Sequence, residues 1–233
     1  MSDDQQVKAI RGLALYGSLA VGALVCIVTL ARGAEDARVQ HLFVPTVIMS
    51  CAGLLGGLVL PARYGKRAGT LQLALGITCF SLGWHLFASA IFFLSLAQAL
   101  GGLSVLHLVG VMGVGFLAMT AALEWRLAGQ VWRRWVNCGR IDLAHGQLKM
   151  DVRPPGREPV GYRRTWIPVV AAFGSVCGVF LRRAAGADIG GILLGVLGLA
   201  GSFLMLGSSW VCGFGMFIRI RRWEKNTGRR MQT

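Results

Sequence analysis

The chain has 233 residues, of which 55% are hydrophobic and 15% are charged, and its mean hydropathy is +0.60. A water-soluble domain usually carries about a quarter of charged residues, so this composition excludes an ordinary soluble globular protein and indicates an integral membrane protein. Basic residues outnumber acidic ones by 24 to 10. In a membrane protein such an excess sets the topology and does not by itself indicate nucleic-acid binding.

Six apolar stretches predict an all-α, polytopic integral membrane protein with six transmembrane helices. The 56 residues between Arg67 and Glu124 contain no charged side chain. As one helix they would span roughly 84 Å, against a hydrocarbon core of about 30 Å, so they must cross twice, with a turn at 98–102. The fifth stretch only just reaches the length needed to span a bilayer. The sixth is longer than one crossing needs, so its helix must tilt or extend beyond the bilayer. The expected spans are Gly12–Ala31, Leu42–Leu60, Thr70–Ala97, Leu103–Leu123, Thr165–Leu181 and a helix within Ile189–Ile218.

The basic residues predict the orientation. If the N-terminus is inside, 20 of the 24 Lys and Arg residues fall on inner segments and four on outer ones. This is a positive-inside pattern with both termini in the cytoplasm, typical of a bacterial inner-membrane protein. The first span is longer than a signal-peptide core, so we expect a retained anchor. The chain divides into a four-span region (1–123), a basic cytoplasmic loop (124–164) and a two-span hairpin with a basic tail (165–233).

Pairs of glycines at helical spacing occur in several spans. Because lipid provides no hydrophobic drive between helices, small residues on one face allow the close backbone approach that stabilises helix pairs. We favour packing inside the bundle. An alternative is that faces of spans one and six meet other subunits or a second copy, and we expect the span-six pair on such a face. The candidates are Gly53 and Gly57, Gly110 and Gly113, Gly174 and Gly178, and Gly191 and Gly195.

The spans contain no charged side chain near their centres, which argues against transport coupled to protons or sodium through carboxylates. Instead, a polar stripe follows one face of span three: Thr78, Ser81, His85 and Ser89. Interhelical hydrogen bonds are the favoured interpretation, and a polar pathway is an alternative. Haem b held by His85 or His107 is a weaker alternative, because the two histidines are offset by roughly 12 Å along their helices. No cofactor or metal is predicted.

The loop from Glu124 to Arg164 combines Trp and Arg at helical spacing near span ends. We interpret it as an amphipathic helix on an anionic lipid surface, with Trp at headgroup depth, and not as a nucleic-acid site. Within Gly139–Val152 a weak alternation around His145-Gly146 predicts a short β-hairpin. The expected lipid-interface residues are Trp125, Arg126, Trp132, Arg133, Arg134, Trp135, Arg163, Arg164 and Trp166, with Arg221, Arg222 and Trp223 in the tail.

The loop and tail show no nucleotide-binding, metal-ligating or nucleophilic motif. The leading hypothesis is therefore a non-enzymatic membrane subunit or scaffold of a larger inner-membrane assembly, such as a secretion, conjugation or envelope machine. A channel or uniporter for a small neutral solute is the alternative, and its cavity would be lined by the stripe on span three. A haem-binding electron carrier is a second alternative.

Overall fold

The computed structural model describes residues 3–33, 40–64, 67–96, 129–149 and 187–233, together with 107, 110, 113–115 and 117–118. The chain is mostly helical, and four of the described helices are long and apolar enough to cross a membrane. The predicted helical fold is thereby confirmed, and the four apolar helices are compatible with an integral membrane protein. Expected span four is described only at scattered positions, and span five lies outside the described residues. Six spans and cytoplasmic termini remain predictions.

Four long helices match expected spans one, two, three and six. Helix α1 consists of Asp3–Leu13, Ala14–Val21 and Gly22–Gly33; α2 of Phe43–Leu54, Leu55–Val59 and Leu60–Tyr64; α3 of Ala68–Leu96; and α5 of Ala187–Ser208, Ser209–Phe214 and Gly215–Thr227. The middle segments of α1, α2 and α5 are π-helical. Membrane-length apolar stretches cover Ile10–Ile27, Phe43–Tyr64, Ala68–Ser95 and Ile189–Thr227.

Helix α3 is the central helix of this bundle, since α1, α2 and α5 all pack against it. In α3, 56% of the apolar stretch is buried, whereas in α2 and α5 only 22% of the apolar stretch is buried. The outer helices leave large apolar side chains exposed, such as Tyr16, Leu24, Val44 and Leu204. In a bilayer these exposed side chains would contact acyl chains and not water. Such an arrangement is typical of a membrane protein.

Glycines permit the antiparallel contact between α3 and α5. A Cβ on Gly213 would overlap the backbone of Gly76, and one on Gly198 would lie 3.0 Å from the Cβ of Ala90. A Cβ on Gly83 would lie 3.1 Å from Leu206 Cγ. The two backbones therefore approach as closely as glycine allows, which maximises van der Waals contact in lipid.

The connection after expected span four contains a short helix and a hairpin. Helix α4 covers Gly129–Asn137, and strands β1 (Ile141–Asp142) and β2 (Gln147–Leu148) pair antiparallel, with Ile141 opposite Leu148. Gly146 ends the turn with φ of +66°, a conformation that other residues rarely adopt. The predicted hairpin and its His145-Gly146 turn are thus confirmed over Ile141–Leu148.

Candidate functional site

Small and hydroxyl-bearing residues of α1, α2 and α3 meet in successive layers inside the bundle. A glycine in each layer lets a neighbouring helix approach, because a Cβ there would overlap a side chain across the interface or lie within about 3 Å of it. The hydroxyl groups occupy the space that remains. Along the bundle the layers are Ala14, Gly57 and Thr78; Ser18, Gly53 and Ser81; and Gly22, Ser50 and His85.

His85 lies at the centre of the polar cluster and is 0% exposed. Its Nδ1 faces the carbonyl oxygen of Ser81, which can only accept, so Nδ1 carries a proton and donates. In a neutral ring Nε2 is then an acceptor, and the hydroxyl of Ser50 lies 2.8 Å from it. The same hydroxyl is 2.9 Å from the carbonyl oxygen of Thr46. Since it has one proton, it serves one of these acceptors at a time.

Ser81 links all three helices. Its hydroxyl donates to the carbonyl oxygen of Met49 on α2 at 2.7 Å and lies 3.1 Å from the hydroxyl of Ser18 on α1. Because the proton of Ser81 is committed to Met49, the proton between the two serines comes from Ser18. Trp84 adds a third α2–α3 contact by donating from Nε1 to Thr46 Oγ1 at 3.2 Å. These bonds hold the register of the three helices.

The arrangement is suited to joining helices. Both ring nitrogens of His85 are hydrogen-bonded, and Gly22 packs so close to Nε2 that a Cβ there would lie 2.7 Å from it. Thr78 and Ser89 donate to the carbonyl oxygens of Ala74 and His85 on their own helix. The Ser81 hydroxyl and the His85 ring of this stripe are engaged by groups of α1 and α2.

A second candidate region lies at the end of the bundle where α3 begins. Residues 129–149 and 221–233, here termed the loop–tail unit, pack on Ala68 of α3 and Ile220 of α5. Ile141, Leu148 and Met231 are nearly fully buried there, and Met231 is 0% exposed. The loop has too few residues for a core of its own, so it uses the ends of two long helices and the tail to complete one.

The tail is bound to the hairpin through backbone groups of Gln232. Leu148 N donates to Gln232 O at 2.8 Å, and Gln232 N donates to Gly146 O at 2.9 Å. Ala68 N donates to Met231 O at 3.2 Å, which joins the tail to the start of α3. The loop, the tail and two long helices therefore form one connected unit.

Asp142 closes the hairpin turn. Its carboxylate accepts from the backbone N–H groups of Ala144 and His145, each at 3.1 Å, and from the His145 ring at 2.9 Å. Lys149 Nζ lies 3.4 Å away. The backbone hydrogen bond from His145, followed by the bond from its ring, lowers the pKa of Asp142 to about 2. The carboxylate therefore remains charged at any physiological pH.

The outer surface of the loop–tail unit is basic. Burial lowers the pKa of Arg140, whose guanidinium carbon lies 4.1 Å from the centroid of the Trp135 ring. Glu224 pairs with Arg221 at 2.9 Å and also accepts from Met231 N. The other basic groups of this surface point outward and are exposed: Arg133, Arg134, Lys149, Arg222, Lys225, Arg229 and Arg230.

Three of the tryptophans that we expect at the lipid interface also have contacts within the protein. Trp132, Trp135 and Trp223 pack against the buried cluster of the loop–tail unit and are half-buried. Arg133, Arg134, Arg221 and Arg222 are exposed as expected. The remaining predicted interface residues lie outside the described residues: Trp125, Arg126, Arg163, Arg164 and Trp166.

The four predicted pairs of packing glycines have different environments. Gly53 and Gly57 lie in the α1–α2–α3 layers. Gly191 is buried, and a Cβ on Gly195 would lie 3.3 Å from Ala90 O, so α3 occupies the side of Gly195 where we expected an outward assembly face. A Cβ on Gly110 or Gly113 would meet no described atom within 4 Å. Gly174 and Gly178 lie outside the described residues.

His107, the second histidine considered as a haem ligand, is exposed.

Sequence reasoning missed the partners of the stripe. Ser18 and Gly22 of α1, and Thr46 and Ser50 of α2, complete the cluster around His85. The available signal was the spacing of small residues by four in the first span, at Ala14, Ser18 and Gly22.

Comparisons with known proteins were made for both the sequence and the fold. No protein-family model, no curated protein and no solved structure matches this chain. The function must therefore be inferred from the geometry alone.

Proposed function

We propose that this chain is a non-enzymatic membrane subunit that docks a partner of a larger assembly through its loop–tail unit. The observation that carries the proposal is the pair of backbone hydrogen bonds between Gln232 and the hairpin. They fix the tail against the loop, so the exposed basic groups are presented on a preformed surface. Preformed surfaces lose less conformational freedom on binding than flexible tails do.

The charge of this surface determines the kind of partner. Among the described residues, its exposed charged groups are Lys and Arg, and the carboxylates of Asp142 and Glu224 are engaged within the unit. An acidic protein surface would complement it, and electrostatic complementarity of this kind sets register and association rate. The positive-inside pattern supports placing the loop–tail unit in the cytoplasm, with the chain in a bacterial inner membrane. A secretion, conjugation or envelope machine is the class of assembly proposed.

The bundle supports an anchoring role. The hydroxyls of Ser18, Ser50 and Ser81 and the ring of His85 bond one another or backbone groups across three helices. In this proposal the hydrogen bonds of these intramembrane polar groups fix the register of the helices, and the groups do not line a path for a solute.

The test is the size of the native assembly. Membranes containing the tagged full chain are extracted in mild detergent and analysed by native gel electrophoresis. The wild type should migrate in a complex much larger than a monomer. Arg222→Glu/Lys225→Glu reverses two exposed charges of the docking surface and should release the chain from that complex.

The matched control is Lys8→Glu/Arg11→Glu. It makes the same change in charge on exposed residues of α1, which are not part of the loop–tail unit, and should leave the complex intact. Migration of the wild type as a free monomer, or equal loss of the complex in both double variants, would contradict the proposal.

A further inference from the structure

Two arginine side chains lie against one tyrosine ring at the junction between α2 and α3. The guanidinium carbons of Arg63 and Arg67 lie 5.7 and 5.3 Å from the centroid of the Tyr64 ring, and all three residues are exposed. Among the residues that the structure describes, no carboxylate pairs with either arginine. Two guanidinium groups held on one ring form a concentrated positive site that lacks an anion.

An apolar groove begins one helical turn away from these arginines. Its volume is about 490 Å³, and it runs between α2 and α5 over α3. Its main lining residues are Ala52, Val59 and Leu60 of α2, Ile77 and Phe80 of α3, and Phe214 of α5. Ser81 also reaches it, but the proton of its hydroxyl is used by Met49 O.

The groove and the arginines are continuous on α2. Leu60–Tyr64 is α-helical, so Arg63 and Tyr64 follow Leu60 by three and four residues and share its face. The groove lies within the apolar stretches Phe43–Tyr64 and Ala68–Ser95, and the arginines lie at the ends of these stretches. An occupant must therefore be apolar along its length at membrane depth and anionic at the boundary.

We propose that this is a binding site for one anionic phospholipid. The guanidinium groups of Arg63 and Arg67 bind the phosphate, and one acyl chain lies in the groove along α2. Guanidinium forks match phosphate oxygens in geometry and charge. Tyr64 is a ring of the kind that lies at headgroup depth. This inference does not depend on the proposed docking function, because the lipid site and the loop–tail surface use different residues.

The test uses the full chain reconstituted in nanodiscs of phosphatidylcholine containing a small fraction of phosphatidylglycerol. Native mass spectrometry after release counts the phosphatidylglycerol molecules retained, and titration gives their affinity. Arg63→Gln/Arg67→Gln should bind phosphatidylglycerol about thirty-fold more weakly, since each arginine near an anionic headgroup contributes about a five-fold factor. Ala52→Phe fills the groove without touching the arginines and should also reduce retention.

The matched control is Arg222→Gln/Lys225→Gln, which removes two exposed charges elsewhere and should leave the affinity unchanged. Circular dichroism and monodisperse elution verify that each variant is folded. Glycerophosphoglycerol, which has the headgroup without acyl chains, should not compete at millimolar concentration.

Three results would overturn the proposal. The first is equal loss in the control and in the arginine variant, which would indicate non-specific attraction. The second is efficient competition by glycerophosphoglycerol, which would indicate a site for free phosphate esters. The third is unchanged retention in Ala52→Phe, which would mean that a protein segment or nothing occupies the groove.

Discussion

Gly213 of α5 lies directly on Gly76 of α3, and a Cβ on Gly213 would overlap the Cα and the backbone nitrogen of Gly76. Backbone atoms cannot rotate away as a side chain can, so the two helices would have to separate. Gly213 also lies in the π-helical segment Ser209–Phe214. This contact is the closest backbone approach that the glycines of the α3–α5 interface show.

We therefore expect Gly213→Ala to destabilise the bundle by about 3 kcal/mol, at the upper end of overpacking costs. Gly69→Ala is the matched control on the same interface, because its Cβ would meet Ile220 Cγ2 at an ordinary 3.5 Å. Thermal unfolding in detergent, followed by loss of monodisperse elution, measures the difference. Equal melting temperatures would show that the helices do not meet at Gly213.

Ser50 is the hydrogen-bond partner of His85 on the adjacent helix. Ser50→Ala should cost about 1 kcal/mol, because Nε2 of a fully buried ring loses its donor. Ser89→Ala is the control, since that hydroxyl donates only to the carbonyl oxygen of His85 on its own helix. The same melting assay should show a larger shift for Ser50→Ala. A larger shift for Ser89→Ala would contradict the arrangement described for the ring.

Met231 anchors the tail in the loop–tail unit. Its side chain is 0% exposed, so Met231→Ala should destabilise the docked tail by about 2–3 kcal/mol. The exposed Arg229 and Arg230 are cleavage sites for trypsin, and their cleavage should become faster while the bundle remains folded. Gln232→Ala is the control, because Gln232 contributes backbone groups, which alanine retains. If both variants were cleaved at the wild-type rate, the tail would not be docked.

The hairpin turn should depend on pH through Asp142. Its folded pKa is lowered from 3.8 to about 2, so the stabilisation is fully present above the unfolded pKa of about 4 and is lost as the pH falls through about 2. Pepsin cleavage at Leu143 and Leu148 should be faster in Asp142→Ala than in the wild type at pH 3.5. The ratio of the two rates should approach one near pH 1.5. A constant ratio across this range would rule out the carboxylate as the stabilising group.

Much of the bundle follows from local pattern. The apolar runs predicted the helices α1, α2, α3 and α5, because the cost of burying charge in lipid is read directly from residue type. Weak alternation around a His145-Gly146 turn predicted a hairpin within Gly139–Val152, and the strands pair over Ile141–Leu148. These features depend on residues close together in the chain.

The contacts between helices could not be predicted in the same way. The stripe at Ser81 and His85 was visible, but its partners Ser18 and Ser50 lie 63 and 35 residues away. Small residues permit several helix pairings, and only the assembled bundle selects one. The packing of Trp132 and Trp135 on the buried cluster of the loop–tail unit could not be predicted either. That cluster includes the docked tail, which is held by long-range backbone contacts that have no side-chain signature.

Topology is the last prediction. The 20-to-4 distribution of basic residues predicts that the loop–tail unit lies in the cytoplasm, because translocating clustered Lys and Arg is unfavourable. In a background lacking native cysteines, Lys66→Cys, Lys149→Cys and Lys225→Cys should react with a membrane-impermeant maleimide only after the cells are opened.

Glu35→Cys, Ala99→Cys and Ala185→Cys should react in intact cells, in which the reagent has access only to the outer side. Ala185 is the decisive position, because it lies between the expected fifth span and α5. Labelling there from outside requires that the chain cross the membrane between the loop–tail unit and α5. Labelling of Ala185→Cys only in opened cells would make the stretch Thr165–Leu181 re-entrant and the six-span arrangement wrong. The four described spans would stand in either case, since each rests on its own length and hydropathy.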